Sequence, residues 1–599
     1  MTVQPSSDSR GAGALTERLG AFARRLRGLV RRSELSLVLL GAAVGVAAGL
    51  SVALIGTLSS EMHSILFGVG AERLSGVPKL PRGYVAPIAG GLLLGVSAWL
   101  WQRRRSTIPV DPIEANALHG GRMSLRDSLW VTAQTLISNG FGASVGLEAG
   151  YAQMGSGLAS KAGVLLRLRR NDLRVLVGCG AGAAIGAAFG APLTGAFYGF
   201  ELIIGTYTVA TAAAVLAASL AGVLTARAVR AVTYEIHMPP TGALSLADYP
   251  SMLVLGLACA ALGVLMMRAV YLVERALDRV RAPRAVRPAL GGCIMTGLAL
   301  ITPQVLAAGH GALSVDIPAK LTIMALVGLL GLKILASTVT LGAGFRGGMF
   351  FASLFLGALT GKLFAALAAA FAPQLAIDPT LCMLVGMASF AVAVIGGPLT
   401  MSFLVLETTG DFVVTTIVLA AAIVTSITVR ETFGYSFSTW RLHLRGETIR
   451  SAIDVGWMRA LTVGRMMRRD PATIPASASL ADFRRRYPLG STQRVVVVDD
   501  DGRYQGVVLT AEAYASADRP EEDAKRTAHD IAHWGDSPLT PAMNIKQAVS
   551  VFDRTESEAL AVVADMIDRK VIGLLTEGYA LRRYAEELDK ARQGLAGDD

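Results

Sequence analysis

The chain has 599 residues, of which 52% are hydrophobic and only 17% charged, and its mean hydropathy is +0.50. This composition excludes an ordinary soluble protein of such length and predicts a chain that lies mostly in lipid. The net charge of +11 would suit a nucleic-acid partner, but the arginines cluster beside hydrophobic segments. Membrane-flanking arginines explain that pattern, so we predict a membrane protein without a nucleic-acid partner.

The composition divides the chain into three parts. A basic segment at 1–33, expected to be cytoplasmic, precedes an apolar membrane domain at 34–445, and a soluble domain with globular composition occupies 455–599. Long hydrophobic helices are predicted at about 35–62, 83–101, 172–203, 206–231, 249–279, 288–306, 319–339, 379–407 and 412–431.

Three further segments are expected to be too short to cross a bilayer. They begin near Pro109, Gly150 and Gly348, and their pattern breaks after about ten to fifteen residues. Irregular backbone at membrane depth is tolerated only where protein buries it or where it lines an aqueous cavity. These broken helices therefore predict the position of a functional site.

Two distant stretches of the membrane domain match each other. "GAPLTGAFYGFE" ends at Glu201 and "GGPLTMSFLVLE" ends at Glu407, so the same proline motif is followed by an acid in both. The offset of about 206 residues persists upstream with little drift, where "GLEAG" matches "GMFFA". This ordered series predicts two homologous halves of inverted topology, about 34–232 and 249–440, with the substrate bound where they meet.

The broken segments contain three loops that suit an anion. A helix N-terminus offers unsatisfied N–H groups and about half a positive charge. The three loops are "RSTIPVDPIEANAL" with Ser106, "GASVGLEAG" with Glu148 and "GAGFRGGMFFAS" with Phe350. The Ser106 hydroxyl can donate to an anion, or it can simply cap the segment that opens at Ile108 or Pro109.

Glu148 is an acid in an otherwise apolar stretch, and a charged side chain inside a bilayer is costly unless it is functional. Its carboxylate has the charge of a small anion. It can therefore occupy an anion position itself and block the path until it swings away or is protonated. We predict that Glu148 is the gate.

No enzyme is predicted, because the chain has no Ser/His/Asp, Cys/His or metal-ligand pattern, and we assign no catalytic residue and no metal. The cysteines lie in apolar runs without metal-ligand spacing; they are Cys179, Cys259, Cys293 and Cys382.

The motif order "STIP", "GLEAG", "GAPLTGAFYGFE", "GGMFFAS", "GGPLT" and "YSFSTWRLHLRG" resembles the CLC family of chloride channels and chloride/proton antiporters. The resemblance covers essentially the whole membrane domain and implies an all-α polytopic fold that works as a homodimer. It implies that Ser106 coordinates chloride, that Glu148 is the gating glutamate and that the backbone N–H of Phe350 faces the anion. The complete set of anion-binding residues expected on this basis is Ser106, Gly146, Leu147, Phe350, Phe351 and Ser438.

Some positions depart from the family pattern. Leu147 and Gly150 replace the arginine and proline of the GREGP motif, and Ala352 replaces the proline of GxFxP. Antiporters of the family resemble one another in having two consecutive acids, whereas this chain has Glu201 followed by Leu202. Glu201 is then either an inner proton relay or, as we favour, a structural acid.

The missing second acid favours a passive chloride channel of the voltage-gated type over a chloride/proton antiporter, which stays the alternative. The central tyrosine of the family aligns with Ser438, although Tyr435 lies one turn earlier. An inverted-repeat amino-acid or cation transporter is a rival from another class, and Ser106 argues against the fluoride-specific branch.

The soluble part contains two similar units, about 455–518 and 525–590, each with two alternating strands and a helix. It resembles a tandem CBS domain pair, an α+β module. Adenine nucleotides bind many such pairs through an acid, but the corresponding positions hold Ala513 and Tyr579, with acids nearby at Glu512 and Glu577. A dimerising or structural module is therefore favoured over nucleotide binding.

The expected location is a cell membrane, by composition a bacterial inner membrane, with multiple spans and both termini in the cytoplasm. The expected partners are chloride, the lipid bilayer and a second copy of the chain.

Overall fold

The computed structural model describes residues 34–69, 80–104, 109–229, 238–242, 244, 246–316, 319–375, 377–444, 461–515, 526–583 and 586. The chain divides into two compact units, residues 1–454 and 455–599.

The first unit is built from helices, because lipid cannot satisfy backbone N–H and C=O groups and each spanning segment must bond internally. Within the described residues, eight helices are long and apolar enough to cross a membrane. The α-helices are α1 Glu34–Phe67, α2 Arg82–Arg104, α3 Pro112–Leu118, α4 Leu125–Gly140, α5 Glu148–Leu165, α6 Arg170–Phe189, α7 Pro192–Tyr198, α8 Val209–Ala228, α9 Asp248–Arg279, α10 Arg287–Ile301, α11 His310–Asp316, α12 Ile323–Gly342, α13 Phe350–Phe371, α14 Pro379–Ile395, α15 Pro398–Thr409, α16 Phe412–Thr432 and α17 Phe437–Leu444.

Two helices predicted as continuous, 172–203 and 379–407, are each broken at the proline motif, so those two predictions are wrong. Gly190 (φ 66°) ends α6, and Gly396 and Gly397 (φ 90° and 73°) separate α14 from α15. In both places the proline is the first residue of the next helix. Glycine accepts the left-handed conformation that ends a helix, and proline is pre-organised to begin one.

The segments predicted to be ten to fifteen residues long are longer than expected at two of the three positions. Helix α5 has 18 residues and α13 has 22, whereas α3 has only 7. In the sequence, the small residues of α5 and α13 indicate the ends of short helices. Several of them instead lie inside the helices, at places where a neighbouring helix crosses closely. Helix α4 was not predicted at all.

Close helix crossings hold each half together. A Cβ atom on Gly155 of α5 would lie 2.2 Å from the Gly180 carbonyl oxygen of α6, and one on Gly180 would lie 2.2 Å from the Gly155 oxygen. The second half repeats this contact between Gly357 of α13 and Gly386 of α14, at 2.2 and 2.3 Å. Small residues allow such backbone contact between membrane helices. The repeated contact agrees with the predicted duplication.

The second unit is α+β. Its strands are β1 Thr473–Pro475, β2 Arg494–Val498, β3 Tyr504–Leu509, β4 Ala559–Val563 and β5 Val571–Thr576. The predicted alternation is wrong for the first strand of each hairpin: the three central residues of β2 and all five residues of β4 are buried, because both faces of these strands pack in hydrophobic clusters. Strands β1, β2 and β3 form one sheet, and β4 and β5 form another. The β1–β2 pair is parallel, and the β2–β3 and β4–β5 pairs are antiparallel hairpins. The helices of this unit are α18 Val463–Met466, α19 Leu480–Arg486, α20 Thr510–Ala515 and α21 Ile545–Thr555.

The two hairpins of this unit pack on each other. The Tyr504 N–H donates to the Arg569 carbonyl at 2.9 Å, and one buried cluster takes Val496 and Val507 from the first hairpin and Ala561 from the second. Each hairpin therefore completes the other's core.

Candidate functional site

Two helix N-termini meet in the first unit. Gly146 and Gly348 form an isolated antiparallel bridge, with N–H to carbonyl distances of 2.8 and 2.9 Å between them. Helix α5 begins two residues after the first glycine, at Glu148, and α13 begins two residues after the second, at Phe350. The bridge therefore fixes the starts of both helices side by side.

The N-terminal amides of these helices are not satisfied by side-chain caps. The cap residues, Leu147 before α5 and Met349 before α13, make no capping hydrogen bond. The first N–H groups of a helix have no partner within it and carry the positive end of the helix dipole. Such a pair of helix ends is suited to a small anion.

The Glu148 side chain lies directly against the bridge. Glu148 is only 3% exposed, and neither of its carboxylate oxygens has a hydrogen-bond partner among the described residues. A Cβ atom on Gly146 would lie 1.8 Å from Glu148 Oε2, and one on Gly348 would lie 2.9 Å from it. Only glycine therefore leaves room for the carboxylate at these two positions.

Backbone N–H groups lie close to the carboxylate. The N–H groups of Glu148 itself and of Phe351 interact with it electrostatically. A negative group thus lies where the two helix ends provide positive potential. A free anion of similar size would find the same donors.

Glu148 faces a cavity of about 190 Å³, and one water takes roughly 30 Å³ of liquid volume, so the cavity has room for an anion with several waters. Arg346 and Arg441 also line it and supply positive charge. The Asp111 carboxylate reaches the same cavity while it caps α3 by accepting from the Glu114 N–H at 2.8 Å.

The predicted anion-binding residues fall into three groups. Phe350 and Ser438 line the Glu148 cavity. Gly146, Leu147 and Phe351 lie beside it without lining it: Leu147 is fully buried, and the Phe351 ring packs on the His310 ring at 3.6 Å between centroids. Ser106 lies outside the described residues.

The two candidates for the position of the family's central tyrosine, Ser438 and Tyr435, lie in different surroundings. Ser438 is on the cavity that contains Glu148. Tyr435 lines a second cavity of about 170 Å³ together with Glu201, and its hydroxyl lies 3.1 Å from His443 Nδ1.

Glu201 is held in a helix cap. One of its oxygens accepts from the Leu399 N–H at 3.0 Å, and the other accepts from the N–H and the hydroxyl of Thr400 at 2.7 and 2.6 Å. These donors belong to the N-terminus of α15. The carboxylate therefore satisfies helix-end amides in the opposite half.

Glu407 makes the same contacts in the other direction. It accepts from the N–H groups of Leu193 and Thr194 at 2.7 and 2.8 Å, and from the Thr194 hydroxyl at 2.7 Å. Each half thus caps a proline-started helix of the other. The matched acids that the sequence reveals are explained by this reciprocal pair of caps.

Sequence reasoning did not single out Tyr198 or Lys333. Tyr198, the last residue of α7, lines the Glu148 cavity. Lys333 on α12 is fully buried and donates to the carbonyls of Val305 and Ala307 at 3.0 and 2.7 Å. The signal for Lys333 is a lone cation in an apolar run, whereas a tyrosine in such a run cannot be distinguished from an ordinary core residue.

Residues 90–430 match the protein family described as voltage gated chloride channel. The chain belongs to this family. The match covers more than half of the sequence, and the predicted membership of the CLC family is confirmed. Residues 463–512 match the CBS domain, which confirms that the second unit contains a CBS domain.

One CLC relative is the putative chloride channel protein ClcB-like of Ralstonia nicotianae. It is 30% identical over 355 residues, which make up 58% of this chain and 82% of the relative.

Two solved CLC structures have the same fold. One is a slow cyanobacterial Cl⁻/H⁺ antiporter, with a TM-score of 0.60 and 22% identity over 68% of this chain and 97% of that one. The other is a eukaryotic CLC transporter, with a TM-score of 0.57 and 18% identity over 92% of this chain and 98% of that one. The predicted fold class, an all-α membrane domain followed by an α+β CBS region, is confirmed.

Of the positions that correspond to a nucleotide site in other CBS pairs, one is buried and two contact other side chains. Ala513 is fully buried in a hydrophobic core. Glu512 Oε2 lies 2.6 Å from His533 Nε2, and the Arg582 guanidinium lies 5.4 Å from the Tyr579 ring centroid.

Proposed function

We propose that this CLC protein moves chloride across the membrane through a path that Glu148 gates. The observation that carries the proposal is the position of the Glu148 carboxylate, buried without a hydrogen-bond partner against two uncapped helix N-termini. An ionised group in such a place has the position that an anion would take. Chloride and the carboxylate would then compete for one site.

The gate works by charge and by movement. When Glu148 is ionised, it fills the positive region between α5 and α13 and repels a second anion. Protonation removes that charge, and a rotation of the side chain into the 190 Å³ cavity frees the helix ends. We therefore expect chloride flux to increase as the pH falls.

We further propose that the protein is a passive channel rather than a proton-coupled exchanger. The position after Glu201 is Leu202, which is 9% exposed and packs in the hydrophobic core, so it cannot carry a proton. Glu201 itself accepts three hydrogen bonds from α15. A carboxylate held by three donors of a helix cap has a structural role there, so we do not assign it a proton relay.

The test uses the full-length protein in liposomes. Chloride efflux should be fast, and an imposed chloride gradient should move no protons against their own gradient. Uphill proton movement would show that the protein is a chloride/proton antiporter and not a channel. It would leave the proposed gating role of Glu148 unaffected. Uptake of labelled amino acids or sodium, with no chloride flux, would overturn chloride transport itself.

We also propose that the protein is a homodimer in a bacterial inner membrane, with both termini in the cytoplasm. Arginines at the ends of helices support this orientation: Arg103 and Arg104 end α2, and Arg279 and Arg287 flank the turn between α9 and α10. Positive residues prefer the cytoplasmic side. A C-terminal reporter that is active only in the cytoplasm tests the orientation.

A further inference from the structure

Besides the guanidinium groups of Arg346 and Arg441, the Glu148 cavity offers a ligand few neutral side-chain donors. The Thr135 hydroxyl donates to the Val131 carbonyl at 2.9 Å, which uses its single proton. The Gln153 side-chain amide donates to the Val110 carbonyl at 3.0 Å and to a serine hydroxyl at 3.2 Å. Both side chains line the cavity with their donors directed elsewhere.

Two hydroxyls remain, those of Tyr198 and Ser438. Both residues line the cavity, and neither hydroxyl has a hydrogen bond to another residue in the part of the chain that the structure describes. Ser438 was predicted from the sequence as a ligand. Tyr198 was not, and it comes from a helix of the first half.

The structure holds the Tyr198 ring beside the predicted anion path. Its centroid is 6.2 Å from that of Phe350 at the start of α13, and the residue is close enough to Glu148 to interact with it electrostatically. Tyr198 is also the last residue of α7 before a π-helical turn at Gly199–Ile204. Such turns are rare and occur frequently at functional sites.

We propose that the Tyr198 hydroxyl is a direct ligand of the transported anion and donates a hydrogen bond to it in the Glu148 cavity. This inference rests on the proposed function, because it names a further ligand of the same site. A phenol is a stronger hydrogen-bond donor than an alkyl hydroxyl. The aromatic ring is also held by its packing, so little rotamer freedom is lost when the anion binds.

Tyr249 provides a matched control. It is a half-buried tyrosine of α9 that lines neither cavity, and its hydroxyl lies 3.1 Å from Thr416 Oγ1. The variants Tyr198→Phe and Tyr249→Phe each remove one hydroxyl and keep the ring. The comparison therefore separates loss of an anion ligand from loss of any tyrosine hydroxyl.

Calorimetric titration of the purified full-length protein with chloride gives the readout. We expect Tyr198→Phe to weaken chloride binding about 10- to 100-fold, the usual effect of losing a hydrogen bond to a charged group. Tyr249→Phe should bind chloride within roughly twofold of the unchanged protein, because Tyr249 lines neither cavity.

Each outcome decides the proposal. A selective loss in Tyr198→Phe supports it, whereas unchanged binding in Tyr198→Phe, or equal losses in both variants, overturns it. An unchanged protein that binds no chloride would instead overturn the proposed function. If Tyr198→Phe does not fold, bromide in crystals of the unchanged protein replaces the titration: anomalous density within hydrogen-bond reach of the Tyr198 hydroxyl supports the proposal, and density only elsewhere overturns it.

Discussion

The two halves of the membrane domain have the same framework but different chemistry. Gly146 in the first half pairs with Gly348 in the second, and Glu201 and Glu407 cap each other's proline-started helices. At the first position of the helix after the bridge, however, the first half has Glu148 and the second has Phe350. The duplication supplies two helix ends, and the proposed gate, Glu148, lies at only one of them.

A second difference lies nearer the end of the proline-started helices. Tyr198 of the first half lines the Glu148 cavity, whereas the matching position, 206 residues later, is Leu404, which is 2% exposed in the core. The polar side chains that line the cavity thus come unequally from the two halves. Equivalent substitutions in both halves should therefore have equal effects on the framework and unequal effects on transport.

The largest effect is expected at the glycine crossings. Gly180→Leu and Gly386→Leu place a side chain where a carbonyl oxygen lies 2.2 or 2.3 Å from the Cβ position. Each should destabilise the fold by about 3 kcal/mol or more, with loss of monodisperse protein in size-exclusion chromatography. Gly328→Leu on α12 is the control, because nothing lies within 4 Å of its Cβ position. If all three variants behave alike, the crossings do not hold the halves together.

The capping acids should have the next largest effect on stability. Glu201→Gln and Glu407→Gln each leave helix-end N–H groups facing an amide in place of a carboxylate. We expect each to lower the free energy of unfolding by about 2 kcal/mol, to a similar extent, as measured by denaturant titration in detergent. Glu431→Gln, at an exposed site at the end of α16, is the control. A Glu201→Gln variant with unchanged stability but altered proton movement would show that this acid is a relay.

Glu148 should affect regulation more than stability. Glu148→Gln keeps the shape of the side chain and removes its charge, so chloride flux should persist and lose its dependence on pH. In the unchanged protein, flux should rise as the pH falls. Phe350→Leu at the matching position of the other half should keep the pH dependence. Flux measured in liposomes across a pH series compares the two, and a pH-dependent Glu148→Gln variant would contradict the gate.

The smallest effects are expected at the threonines of the two caps. Thr194→Val removes a hydroxyl that donates to Glu407 at 2.7 Å, and Thr400→Val removes one that donates to Glu201 at 2.6 Å. Each should cost about 1 kcal/mol of stability, measured by denaturant titration, and leave chloride flux unchanged. A large difference between the two variants would show that the caps are not equivalent.

The sequence predicts the framework well where a repeated pattern exists. The matching "GAPLT" and "GGPLT" motifs and the acids after them indicate the duplication. The structure adds that Glu201 and Glu407 each cap the proline-started helix of the other half. The break at each motif was missed, because apolar composition runs through it. Helix continuity there is decided by backbone conformation at Gly190 and Gly396, which composition does not report.

The sequence predicts the site only in part. Glu148 is conspicuous as an acid in an apolar stretch, and the structure places it between helix ends. Tyr198 was missed because a tyrosine in an apolar run reads as core, and only the folded chain shows which ring edge faces a cavity. The sequence aligns the family's central tyrosine with Ser438 and leaves Tyr435, one turn earlier, as the alternative; the structure shows that the two residues line different cavities.

The central claim is that the Glu148 carboxylate and the transported anion compete for one position beside the Gly146–Gly348 bridge. Crystals of Glu148→Ala grown in bromide test this most directly, because the variant removes the tethered competitor and bromide scatters anomalously. We expect a bromide peak at the position of the carboxylate, within reach of the first N–H groups of α5 and α13. Bromide bound elsewhere, with that position empty, would contradict the account.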